Sequence, residues 1–137
     1  MSFEARYDGE AWALVFGPVG SAPFEAWRRP HHVFVVAALQ DPGRWPELIG
    51  RQPPFAPALA YGFRRALLEV SGTQIPFMLE TDDPQRALAG TVFLGLDDDE
   101  LGRVDAFELA GDHRRRIELE VAVGERRVDA VSYVRRG

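Results

Sequence analysis

A carboxylate stands where an apolar residue belongs. In the stretch Asp97-Asp98-Asp99-Glu100-Leu101-Gly102-Arg103-Val104-Asp105-Ala106-Phe107-Glu108, helical spacing places Leu101, Val104 and Glu108 at i, i+3 and i+7. That is one stripe, and it is the stripe that faces a core. An unpaired charge is expensive to bury. Glu108 therefore either pins backbone donors for structure or carries a raised pKa and handles protons. The other candidate chemistry is thinner. His31 and His32 are adjacent at the start of a strand, so their side chains point to opposite faces and do not readily share a metal. Asp97 to Asp99 lack calcium-loop spacing and suit a helix N-terminus, where carboxylates complement the dipole. Asp105 reads as a helix-surface residue, and Trp12, Trp27 and Trp45 as core or interface fillers. No metal or cofactor site is expected.

The residues that are missing remove whole reaction classes. The sequence has no Cys, Lys or Asn. It therefore offers no thiol nucleophile, cysteine-zinc site, Schiff-base lysine or Gly-Lys-Ser/Thr phosphate loop. A net charge of -5 argues against a nucleic-acid surface. Arg114-Arg115-Arg116, with Glu118 and Glu120 following, reads as a solvated strand face. No apolar run approaches the roughly 20 residues that span a bilayer, and the first residues lack a signal-peptide pattern. The expectation is a cytoplasmic protein, monomer or homodimer, without membrane or nucleic-acid partners.

These residues need a scaffold, and 137 residues with 46% hydrophobic content are enough for one domain with one core. Residues 1–30 form an N-terminal extension expected to pack on the domain, with a strand at Trp12–Phe16; residues 31–137 form the domain itself. The continuous apolar run Val33–Leu39 predicts a strand buried on both faces. Asp41-Pro42 starts a short helix with Trp45, Leu48 and Ile49 inward and Gly50 at its end. Residues 52–57 read as a proline-rich extended connection, and Leu59–Val70 as one or two strands broken around Gly62. Short strands follow at Phe77–Leu79 and Ala87–Leu96, then the acidic helix. Arg116–Val123 and Arg127–Val134 form a hairpin about Gly124-Glu125. The architecture expected is α+β, a largely antiparallel or mixed sheet curled into a barrel with short flanking helices.

From Val33 to about Tyr133 this order of signals resembles the gamma-glutamylcyclotransferase-like family, also called avirulence-induced-gene-like. The resemblance is carried by Val33-Phe34-Val35 with Leu39-Gln40-Asp41-Pro42, then Gly62-Phe63-Arg64, Ile75-Pro76, and Gly90 with Val92. It continues in Ala130-x-x-Tyr133-Val134 and is strongest in Leu101-x-x-Val104-Asp105-x-Phe107-Glu108. It implies a small mixed β-barrel with a cavity at one end, Glu108 as catalytic acid/base, and substrate held by backbone N–H groups of Val36, Ala37, Ala38 and Leu39. The implied reaction is intramolecular. The α-amine of a γ-glutamyl amine or peptide attacks its own side-chain amide, giving 5-oxoproline and a free amine.

This chain departs from the family pattern at two places. Val36-Ala37-Ala38-Leu39 replaces Tyr-Gly-Thr-Leu, so that an alanine stands where a glycine could adopt a left-handed backbone. After Glu108, Leu109 replaces Gly, and His113 or Arg114 occupies the position of a tyrosine, with His113 a candidate polar pocket group. Two functional readings follow. One is an acyltransferase of the cyclotransferase kind with a degenerate substrate loop. The other is a catalytically inactive small-molecule-binding or regulatory module on the same fold.

Overall fold

Seven strands and two short helices make up residues 29–136, the part of the chain that the computed structural model describes. In order they are β1 His31–Val35, α1 Trp45–Ile49, β2 Phe55–Tyr61, β3 Phe63–Val70, β4 Thr73–Glu80, β5 Ala87–Leu96, α2 Asp98–Glu108, β6 Arg114–Val123 and β7 Arg126–Arg135. Five strands close a barrel in the order β1-β5-β2-β6-β7, while β3 and β4 form a separate two-stranded sheet. β1 runs antiparallel to β5 and parallel to β7, which makes the barrel mixed as expected. The strand expected at Trp12–Phe16 and the extension as far as residue 28 lie outside the described residues. Among the described residues no helix is long and apolar enough to cross a membrane.

Alternation along β1 divides the apolar residues between two cores. Phe34 and Val36 point into the barrel with Ala56, Ala58, Ala60, Val92, Leu94 and Val121. Val33 and Val35 point outward to Leu39, Trp45, Phe93, Leu101 and Val104, the layer between barrel and helices. Alanines dominate the β2 share of the interior because a five-stranded barrel leaves little room between opposite walls. The barrel also needs Gly90 to have no side chain. A Cβ there would lie 2.6 Å from Phe34 Cζ and 2.7 Å from the Val35 carbonyl oxygen.

Three expectations about the elements need correction. β1 stops at Val35 rather than Leu39, and the chain turns through a 3-10 segment at Ala38–Gln40. The turn is fixed by Trp45, which stacks on Phe93 at 4.3 Å and donates its indole N–H to the Leu39 carbonyl at 2.8 Å. β2 begins at Phe55, inside the segment read as a connection. It tolerates Pro57 because its second edge meets β6 at a single register pair, Leu59–Ala122, so most ladder positions there need no donor. β4 extends over eight residues and includes Pro76, which a strand with one unladdered edge accommodates for the same reason. The break at Gly62 is real: its φ of +88° turns the chain from barrel strand to hairpin.

The helix α2 is fixed at its start. Asp97 accepts from the Glu100 N–H, and Glu100 accepts from the Asp97 N–H, a reciprocal capping box. Glu100 also takes a two-pronged bond from Arg51, at 2.6 and 2.8 Å, and Arg51 donates further to the Gly95 carbonyl. The Arg51 hydrogen bond is the main reason the Glu100 carboxyl lies below its ordinary range, and the same bond raises Arg51. Stability from this pair is present above the unfolded carboxylate's pKa, roughly 4.3, and is lost as pH falls through the lower folded value.

Replacing Glu100 by Gln should cost about 2 kcal/mol at pH 7 by urea denaturation, with the difference from wild type shrinking at pH 3. An unchanged difference at pH 3 would contradict the ionic role of Glu100. Gly90→Ala should cost about 1–3 kcal/mol through the collision with Phe34 and Val35. A neutral result in the same denaturation assay would mean that the barrel wall can yield there.

Candidate functional site

α2 ends at Glu108 and delivers its side chain to one end of the barrel. Leu101 and Val104 are buried, so the stripe read from the sequence does face inward, and the Glu108 side chain is only 12% exposed. It lines a small cavity together with Val36 and Ala37 at the exit of β1, Pro76 and Met78 from β4, Arg114 from β6, and Ser132 and Tyr133 from β7. The cavity holds about 10 Å³, the space of one water-sized sphere.

The four loop residues implied as substrate-binding separate here. Val36 and Ala37 line the cavity beside Glu108. Ala38 is exposed, and Leu39 belongs to the outer core. Ala37 has φ of -135°, so the left-handed conformation that would have penalised an alanine is not required. The bonds closing the 3-10 turn start with the Gln40 N–H to the Ala37 carbonyl and the Asp41 N–H to the Ala38 carbonyl. The earlier N–H groups of Ala37 and Ala38 are thus not consumed as donors by those two bonds.

Glu108 is largely buried without being tied down. Among the described residues no hydrogen bond reaches its carboxylate; its nearest cation is Arg114, with Nε 3.8 Å from Oε2. A structural role, in which the carboxylate pins a backbone segment, would have shown such bonds. Burial raises the Glu108 pKa, and Arg114 partly opposes the rise. Tyr133 stands beside it but donates its hydroxyl to Asp105, at 2.6 Å, and Arg116 donates to the other Asp105 oxygen at 2.7 Å. Burial and then the Asp105 hydrogen bond push the Tyr133 pKa far upward, so Tyr133 stays a neutral donor. Asp105 is therefore more than a surface residue: it takes the tyrosine hydroxyl away from Glu108.

Arg114 is the site residue that the sequence reading misplaced. Instead of forming a solvated face with Arg115 and Arg116, it turns inward with a side chain 17% exposed. Its guanidinium donates to the Pro76 carbonyl at 2.8 Å and lies 4.6 Å above the Phe77 ring. The signal was present, since Arg114 is one of two residues that could occupy the tyrosine position, but in the sequence His113 reads as the candidate pocket group and Arg114 groups with its charged neighbours. His113 does not line the cavity; its ring stands next to Gly111. The other two histidines are used locally. His31 pairs with Asp98 at 2.6 Å, and His32 Nδ1 accepts from the Gly95 N–H.

Comparison with known proteins agrees with this fold. The profile of the family described as gamma-glutamyl cyclotransferase, AIG2-like, matches residues 33–137. No protein of curated function matches significantly. Among solved structures, one Arabidopsis thaliana protein superposes with a TM-score of 0.65 and 25% identity, 77% of this chain covering 68% of that one. A second from the same plant gives 0.65 and 26%, with 77% of this chain on 61% of that one. The fold also matches a protein named gamma-glutamyl cyclotransferase, at a TM-score of 0.64 and 17% identity, over 78% of this chain and 67% of that one. With its mixed five-stranded barrel and a buried glutamate closing the matched helix motif, this chain belongs to the gamma-glutamyl cyclotransferase, AIG2-like family.

Proposed function

We propose that the protein cyclises a γ-glutamyl amine or peptide to 5-oxoproline with release of the amine, using Glu108 as the proton carrier. The observation that carries this reading is the Glu108 carboxylate: largely buried, without a hydrogen bond among the described residues, and facing a cavity bounded by Val36 and Ala37. In the reaction the substrate α-amine attacks the side-chain amide carbon. A C–N bond forms in the five-membered ring, and the old amide C–N bond breaks. Glu108 takes a proton from the attacking nitrogen and gives one to the leaving nitrogen. Nucleophile and electrophile share one molecule, so holding the folded substrate supplies much of the acceleration. In this reading the backbone N–H groups of Ala37 and Ala38 are the donors that would meet the developing oxyanion. A carboxyl whose pKa is lifted by burial is the appropriate shuttle near neutral pH.

The size of the cavity favours a second reading. About 10 Å³ does not admit a γ-glutamyl group. Substrate access requires Arg114 and the β3–β4 hairpin carrying Pro76 to give way. If they do not, the fold serves as a binding or regulatory module without turnover.

Purified protein incubated with a panel of γ-glutamyl amines and peptides should release 5-oxoproline, measured by chromatography, and Glu108→Gln should lower the rate by about 10²–10⁴-fold without unfolding the chain. Absence of product across the panel selects the second reading. Stability gives an independent check. A carboxyl raised in the folded state keeps its proton after the unfolded chain has released it, so it destabilises the fold as pH rises from the unfolded value through the folded one. Glu108→Gln should therefore raise the melting temperature at pH 7 and change it little at pH 4. A variant less stable than wild type at pH 7 would show that the ionised carboxylate supports the fold.

A further inference from the structure

Two arginines in this chain meet carboxylates in different ways. The Arg51 fork is filled: Nε and Nη2 bond both oxygens of Glu100, and Nη2 also bonds the Gly95 carbonyl. The Arg114 fork is not. Among the described residues, one of its five N–H donors bonds Pro76, and Glu108, at 3.8 Å, lies beyond hydrogen-bond length. A largely buried guanidinium with most donors unused is an unfavourable arrangement unless something else completes it. Its planar fork matches a carboxylate better than any other common anion except phosphate.

Building on the cyclisation reading, we propose that Arg114 is the specificity-determining residue of this site: it exchanges Glu108 for the α-carboxylate of the γ-glutamyl group, the carboxylate that 5-oxoproline retains. Position supports this. Arg114 and Glu108 line the same cavity, so a ligand placed against the glutamate has the guanidinium within reach. The tether of Arg114 on the far side is Pro76, in a hairpin that shares no ladder with the barrel. Releasing that one hydrogen bond makes room for the ligand without opening a barrel strand pair.

The exchange has an electrostatic consequence. Among the described residues the charged and titratable groups around Glu108 are Arg114 on β6, Tyr133 on β7 and Asp105 on its own helix, and Asp105 is already held by Arg116. Once a ligand carboxylate engages Arg114, no other cation among these faces Glu108. Binding an anion there raises the proton affinity of Glu108, which strengthens it as the acceptor of the proton that the attacking nitrogen gives up.

The test is calorimetric binding of 5-oxoproline and of its neutral carboxamide to wild type, Arg114→Gln and Arg114→Lys. A hydrogen-bonded charged partner contributes about tenfold to a hundredfold in affinity, so wild type should prefer the acid by about tenfold or more. Gln should bring the ratio near one, and Lys should leave a reduced preference. Repeating the wild-type titration in two buffers of different ionisation enthalpy should reveal proton uptake that Glu108→Gln abolishes. Equal binding of acid and amide, binding of neither, a preference that survives in the Gln variant, or no proton uptake would each overturn the proposal. Should Gln fail to fold, the wild-type ratio and the Lys variant decide. Release of 5-oxoproline from γ-glutamyl substrates is scored separately, so the cyclisation reading can survive when this assignment falls.

Discussion

The position of Glu108 depends on a bond made two turns earlier in its helix. Glu100 is engaged by its own cap and by Arg51, and Arg51 is in turn anchored on the Gly95 carbonyl at the end of β5. Helix, strand end and the chain leaving α1 are thereby joined at one carboxylate. Leu101 and Val104 then set the rotation of α2 against the outer core. A buried charge without hydrogen bonds cannot choose its own place, because it gains nothing from the spot it occupies. Glu108 is where it is because the first turn and the apolar stripe leave it no alternative.

Three carboxylates on this one helix show how neighbours divide the labour. Glu100 is saturated with donors, and its proton affinity falls. Asp105 is held between Tyr133 and Arg116 and organises the wall of the site. Glu108 receives neither, and desolvation dominates. The same side-chain chemistry thus gives a rivet, a bracket and a carboxyl that holds its proton more tightly, according only to which donors the surrounding strands supply.

Much of this could be read in the chain. The i, i+3, i+7 stripe found Glu108, alternation found β6 and β7, and Gly50 closed α1, although Asp41-Pro42 opens a 3-10 turn at Pro42–Arg44 that leads into α1 rather than α1 itself. What escaped had tertiary causes. Val36–Leu39 looked like continued strand because every residue is apolar, yet the Trp45 indole bends the backbone there. Pro57 and Pro76 argued against strands, but both lie on edges with few ladder bonds to lose. Arg114 resembled its exposed neighbours, because local charge does not reveal that Pro76 and Phe77 wait on the other side.

The bonding of β2 is uneven. Along its whole length β2 is stitched to β5, from Phe55–Phe93 to Tyr61–Ala87, and to β6 at Leu59–Ala122 alone. The cylinder is in effect a rolled ribbon with a loose hem. That hem lies near the end of β6 farthest from Arg114, so the least-laddered part of the wall is set apart from the cavity that Glu108 lines.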